Sequence, residues 1–368
     1  MTDNQTAKQA LSYVADIEPY EPGKPVEALA ADFGIAPADI IMLAANENAI
    51  GIPASAEKAV LETLRRGYRY PDGNAFALKA AVAEKFGIPE EWVIQGNGSD
   101  EILGLICQAF LEPGRNCVFS QYSFSVYQLS AHLNGADCRE VPVRPDFTLD
   151  LDAMAAAADE QTGVLFLTNP NNPTGLALTE SEIAAFLEKV PQHVIVVLDE
   201  AYREFMPKEE QTDSMSLLRR YPNLIVTRTF SKAYGLAGLR IGIGLAQAGV
   251  VEMLNRIRPP FNANRLAQAA ACAALNDEAF IEKTVAVNRE GVAKLEKAFD
   301  ELGLTYLPTK TNFMMVKLPD AEKVNGALLR AGIIVRGLRS YGLPDWLRIS
   351  IGRPEEMEKF LTVLRSAL

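Results

Sequence analysis

Short apolar runs alternate with segments of helical period over most of this chain. NCVFS, ADCREVPV, GVLFLT, HVIVVLD and LIVTRT read as strands, with a shorter one over Trp92–Gln95. A nearly continuous apolar run is what a strand covered on both faces requires. Between the runs, NAFALKAAVAEKFG, SDEILGLICQAFL and SFSVYQLSAHLNG carry apolar residues at helical spacing. The first of these helices is expected from about Asn74 and stops at Gly87. The alternation predicts an α/β fold: a mainly parallel sheet with helices on both faces. Ligands of such sheets sit at the carboxyl ends of the strands. Gly98, Tyr122, Asn172, Asp199 and Lys232 all fall at those ends.

The two termini have another character. A short helical piece over Ala7–Val14 precedes IEPYEPGKP, where Pro19, Pro22 and Pro25 forbid a helix and predict an extended arm. Its only large aromatic, Tyr20, is either a packing anchor or a lid over a site. IIMLAANEN follows as a short strand running into Asn46. Near RIRPPFNANR, Pro259 and Pro260 stop one helix and Asn262 precedes the next. Two long helices, strands in TNFMMVKL, GIIVRG and WLRISIG, and a final helix from Pro354 complete a smaller α+β unit. The expected division is an arm over 1–45, a large unit over 46–260 and a small one over 261–368.

Composition narrows the partners. A chain of 368 residues exceeds the usual size of a single core, so two domains are expected. Its net charge of −11 argues against nucleic acid or an anionic membrane as main partner, though local arginines still suit a small anionic substrate. The four cysteines (Cys107, Cys117, Cys138, Cys272) lack C-x-x-C spacing, and only two histidines are present, so no metal site is expected. Free thiols, no apolar leader and no membrane-length apolar run predict a cytoplasmic protein.

The candidate chemistry centres on LIVTRTFSKAYGLAGLRIG, where a strand ends in Thr229 and Ser231, then Lys232, with Arg240 close behind. Two hydroxyls and an arginine suit a phosphate, and a lysine beside a phosphate suggests a Schiff-base lysine held against pyridoxal 5'-phosphate. Such a cofactor needs a carboxylate on its ring nitrogen, for which Asp199 is the candidate. Asn172 and Tyr202 are candidates to hydrogen-bond its phenolate oxygen. Gly96-Asn97-Gly98 leads into a helix that Ser99 is expected to cap, so the N–H groups of Ser99 and Asp100 offer an anion site. Tyr122, at a strand-to-helix junction, is placed to stack on a flat ligand. Arg336 and Arg348 are candidates to clamp a substrate carboxylate. The dinucleotide fingerprint is absent: neither Gly-x-Gly is followed by the required third glycine.

NPNNPTG, LDEAYREF and SKAYGLAGLRIG, in this order, resemble fold-type I aminotransferases of the aspartate aminotransferase superfamily. IEPYEPGKP, LAANEN, YRYPDG, GNGSDE and LRISIGRPEEME narrow the resemblance to histidinol-phosphate aminotransferases. The resemblance implies a seven-stranded sheet and transamination between L-histidinol phosphate and 2-oxoglutarate in histidine biosynthesis. It implies Lys232, Asp199, Tyr202 and Asn172 as the catalytic set, and Tyr122 stacked on the cofactor ring. It also implies a homodimer in which Tyr70 reaches the neighbour's cofactor phosphate. Arg348 would bind the glutamate carboxylate, with Arg336, Tyr20 and Asn46 near the second substrate. One departure is Ala49, where many relatives place proline. Aromatic aminotransferases and threonine-phosphate decarboxylases share most of these motifs and are the rival readings. A ligand-sensing module of a transcription regulator is a further rival, disfavoured because it needs a basic DNA-binding domain, for which the N-terminal arm is too short and insufficiently basic.

Overall fold

The computed structural model describes residues 9–15, 17 and 26–368. Its main sheet has seven strands: β2 (Val93–Gly96), β3 (Asn116–Ser120), β4 (Asp137–Val141), β5 (Thr162–Thr168), β6 (Ile195–Asp199), β7 (Leu224–Thr229) and β8 (Gly242–Ala246). Their spatial order is β2-β8-β7-β6-β5-β3-β4, and all run one way except β8, which is antiparallel to both neighbours. Every residue of β5, β6 and β7 is buried. Alternate residues serve opposite faces: Leu165, Leu167, Val196, Leu198 and Val226 enter one core, while Val164, Phe166, Val197 and Ile225 enter another. That is the two-sided coverage predicted by the apolar runs.

A second sheet takes β1 (Ile41–Leu43), β9 (Thr305–Tyr306), β10 (Phe313–Lys317), β11 (Ile333–Leu338) and β12 (Leu343–Ser350) in the order β1-β11-β12-β10-β9. Helices Glu278–Leu302 and Pro354–Ala367 cover it, contributing Leu295, Phe299, Phe360 and Leu364 to its core. Helix Arg265–Leu275 packs Ala267, Ala270, Ala271 and Ala274 into a core of the main sheet, although it follows the expected boundary at 260/261.

Several local expectations are corrected. Within the stretch expected as helix over 7–14, the described helix is only Ser12–Ala15. A helix over Val26–Phe33 starts directly after Pro25, where none was expected. The helix cap near the double proline is Asn264, which accepts from Ala267 N at 2.8 Å. Asn262 precedes that helix as expected, and donates to Gln95 O and Glu101 Oε2. Ser99 does not cap its helix. It is the first helical residue of Ser99–Phe110, and the cap is Gly98 at φ 87°, a left-handed value that favours glycine. Tyr20 lies outside the described residues.

Candidate active site

The carboxyl ends of β2, β3, β5, β6 and β7 converge on one edge of the main sheet, and the antiparallel β8 starts there. Gly242, its first residue, stands in register with Gly96 of β2 and Thr229 of β7. A Cβ on Gly242 would fall 2.4 Å from Ser99 N, so only glycine lets the Gly98–Ser99 turn seat against β8. A Cβ on Gly98 would fall 2.4 Å from Arg240 Nη2. Arg240 reaches Asp100 Oδ2 at 3.1 Å and Ser231 Oγ at 3.5 Å, and Ser231 N donates to Thr229 Oγ1 at 3.1 Å. One arginine, two hydroxyls and a helix N-terminus thus line one cup. Its chemistry suits a phosphate dianion.

Beside the cup, Asp199 closes β6 with 3% of its surface exposed. Its Oδ2 accepts from Tyr127 Oη at 2.7 Å and its Oδ1 from Thr227 Oγ1 at 3.0 Å. Burial pushes its pKa up to about 6, against the pull of those two donors. Lys232, half-buried, donates from Nζ to Ala45 O at 3.1 Å and lies 5.9 Å from the centroid of the Tyr202 ring. Burial first, and then the Arg348 cation, lower its pKa to about 8. A buried carboxylate and an amine of unusually low pKa thus share one edge of the sheet.

The second sheet reaches in through Arg348 on β12. Nη1 donates to Asn172 Oδ1 at 2.5 Å and Nη2 to Ala44 O at 2.7 Å. Arg336 of β11 is its in-register partner, so two guanidinium-bearing residues stand side by side. The loop after β1 ties the two sheets together. Asn46 donates to Tyr202 Oη at 3.0 Å, its N–H to Ser350 Oγ at 2.9 Å, and it holds φ 55°. Asn312 donates to Asn46 O, and Asn48 to the carbonyls of Lys232 and Ala233. Burial pushes the Tyr202 phenol up to about 12.

The sequence-derived residues Asn46, Asn172, Asp199, Tyr202, Lys232 and Arg348 therefore meet in one site, with Gly98, Ser99, Asp100, Thr229, Ser231 and Arg240 at its rim. Tyr122 stands at the end of β3 at φ 52°, its ring 5.5 Å from that of Phe147 and its carbonyl accepting from Asn171. The Asn169–Pro170 and Asn172–Pro173 bonds are both cis. Tyr70 stays apart: it is 77% exposed and stacks on Phe261 at 4.7 Å. Sequence reasoning missed Tyr127, Thr227, Asn48, Asn312, Ser350 and Gly242. A cavity of about 790 Å³ lined by Arg203, Phe205, Glu282 and Arg289, among others, contains none of the expected site residues.

Residues 38–364 match the family described as aminotransferase class I and II. The chain belongs to that family. It is 52% identical over 360 residues, 97% of this chain and 96% of the relative, to histidinol-phosphate aminotransferase 2 of Ralstonia nicotianae. It superposes with a TM-score of 0.88 at 30% identity, over 98% of this chain and 100% of the other, on histidinol-phosphate aminotransferase from Sinorhizobium meliloti, solved in complex with pyridoxal 5'-phosphate. L-threonine-O-3-phosphate decarboxylase from Porphyromonas gingivalis gives a TM-score of 0.78 at 24% identity, covering 89% of this chain and 98% of that one, a likeness of fold alone.

Proposed function

We propose that this aminotransferase uses pyridoxal 5'-phosphate to move the amino group of L-histidinol phosphate to 2-oxoglutarate, giving imidazole-acetol phosphate and L-glutamate, a step of L-histidine biosynthesis. The observation that carries this reading is the near full-length match to a histidinol-phosphate aminotransferase at 52% identity. The donor set fits the cofactor. A buried carboxylate, a primary amine and a cup of anion donors lie along one sheet edge, and Gly98 and Gly242 leave room that a Cβ would fill.

When bound, the cofactor supplies an aldehyde that links to amines and a protonated ring that accepts the electron pair left at the substrate's reacting carbon. Asp199 holds the proton on the ring nitrogen. Ser99 and Asp100 through their N–H groups, with Thr229, Ser231 and Arg240, hold the phosphate, and Gly98 lets them close in. Asn172 and Tyr202 donate to the phenolate oxygen, and Tyr122 covers the ring face. Lys232 would bind the cofactor's aldehyde, and its free amine, its pKa lowered by burial and Arg348, would move the proton at the substrate's reacting carbon. Arg348 clamps the carboxylate of glutamate or 2-oxoglutarate, and Arg336 with Asn46 serves the phosphate end of the other substrate, since both anions accept an arginine fork. Tyr20 is assigned to the same end from sequence alone.

We also propose a homodimer in which Tyr70 reaches the neighbour's cofactor phosphate. Its support is the exposure of Tyr70 together with Leu61, Leu64, Tyr68 and Phe76, large apolar side chains all within residues 61–76. The division into arm, large unit and small unit is likewise a proposal, supported by the two separate sheets with their own cores. A cytoplasmic site of action is consistent with four free cysteines. Among the described residues no helix is long and apolar enough to cross a membrane.

Turnover of the purified holoenzyme with 2-oxoglutarate tests the reaction, using histidinol phosphate, phenylalanine and threonine phosphate as donors. A strong preference for histidinol phosphate is expected. Preference for phenylalanine, or release of carbon dioxide from threonine phosphate without 2-oxoglutarate, overturns the choice of substrate.

A further inference from the structure

Behind Asp199 lies a buried row of hydroxyls. Thr168 ends β5, Asp199 ends β6 and Thr227 lies on β7; the three stand in register across adjacent parallel strands. The fourth member comes from a helix: Tyr127, on Val126–His132, is fully buried and lays its ring on Phe166 at 4.5 Å and 7°. Its Oη is 2.7 Å from Asp199 Oδ2 and also 2.7 Å from Thr168 Oγ1. An ionised carboxylate can only accept, so the phenol hydrogen points to Asp199. The Thr168 hydroxyl then donates to the phenol oxygen. Thr227 fills the other carboxylate oxygen. Every polar side-chain atom in the row has its partner.

We infer that Tyr127 is a positioning residue: its hydroxyl, aimed by Thr168, fixes the Asp199 carboxylate in one rotamer and keeps it ionised, so that the proton stays on the cofactor's ring nitrogen. The inference rests on the proposed assignment of Asp199 to that nitrogen. Burial alone drives Asp199 toward the neutral acid, and a neutral acid does not hold a pyridinium. A donor to the carboxylate opposes that drift, and hydrogen bonds to charged groups are the strong ones. Without the phenol hydrogen, the shared proton moves from ring nitrogen toward Asp199. No atom of Tyr127 needs to touch substrate for this.

The test uses Tyr127→Phe, which keeps the stacked ring and removes one oxygen. The holoenzyme is reconstituted with pyridoxal 5'-phosphate carrying ¹⁵N in the ring, and its nitrogen resonance is compared with wild type. The wild-type signal is expected at the protonated position and the variant's displaced toward the unprotonated one. The cofactor's dissociation constant is expected to rise about tenfold and kcat to fall by a similar factor, the scale of one hydrogen bond to a charged group, with KM for the amino donor unchanged. Thr168→Val, which removes the hydroxyl that donates to the phenol oxygen and so weakens the phenol as a donor to Asp199, should shift the resonance the same way by less, and it carries the test if Tyr127→Phe does not fold. A wild-type resonance in both variants overturns the inference while leaving Asp199 in its role. An unprotonated nitrogen in the wild type overturns the role of Asp199 itself, and this inference with it.

Discussion

Arg348 Nη1 donates to Asn172 Oδ1 at 2.5 Å, joining a strand of the small sheet to the loop after β5 of the large one. Arg348 is buried and also donates to Ala44 O, so its guanidinium has a fixed orientation before any substrate arrives. A pre-set planar fork is what carboxylate recognition needs. Arg348→Lys is expected to raise KM for 2-oxoglutarate about 100-fold, because a point charge replaces the fork. Steady-state kinetics with varied 2-oxoglutarate checks this, and an unchanged KM removes Arg348 from the clamp.

Lys232→Ala is expected to reduce transamination by at least about 10³-fold, the range associated with loss of a positioned acid–base group together with its covalent role. Borohydride treatment of the holoenzyme followed by peptide mass mapping gives an independent readout. The cofactor mass should be fixed on Lys232 in the wild type and on no lysine in the variant.

The low pKa of Lys232 has a sign that can be measured in the cofactor-free protein. The unfolded chain holds this proton up to its ordinary 10.5, whereas the folded chain releases it near 8. Between those values the unfolded state binds more protons, so this group makes the fold more stable as pH rises through the window. Acylation of Lys232 in the cofactor-free protein should follow a titration centred near pH 8. A midpoint above 10 for Lys232 would remove the argument from burial and Arg348.

Gly242→Ala carries a different expectation, since its Cβ would meet backbone: Ser99 N at 2.4 Å and Gly98 C at 2.7 Å. The Gly98–Ser99 turn must then back away from β8. A stability loss of about 1–3 kcal/mol, the usual scale of overpacking, is expected in denaturant titrations. Cofactor retention should fall further than in an alanine substitution at Gly104, which lies in the following helix with open space around its Cβ position.

The elements that carry strong local signals were legible. β5, β6 and β7 announced themselves as unbroken apolar runs, and Asp199 and Lys232 by the polar residues that end them. The phosphate cup was legible as a set of residue types but not in its details. Ser99 looked like a cap because serine before two acids usually is one, whereas the turn at Gly98 begins the helix one residue earlier. Tyr127 could not be told from core: it sits at an apolar position of a helix and is indeed fully buried, and only its hydroxyl has business at the site. Contacts such as Asn46 with Ser350 or Asn312 join positions hundreds of residues apart, beyond the reach of any window read along the chain. The helix over Val26–Phe33 was hidden by the prolines just before it, which read as an extended arm but also suit a helix start.

The loop from Ala44 to Asn48 grips Lys232, Tyr202 and Arg348 at once, through Ala45 O, Asn46 Nδ2 and Ala44 O, while Asn48 holds the backbone at Lys232. None of the three can be shifted without disturbing the other two. A lineage that drifts toward a new amino donor must therefore leave this girdle alone and find its variation at the rim, where Arg336 stands beside Arg348. The chemistry is inherited as a block, and preference is what remains free to evolve.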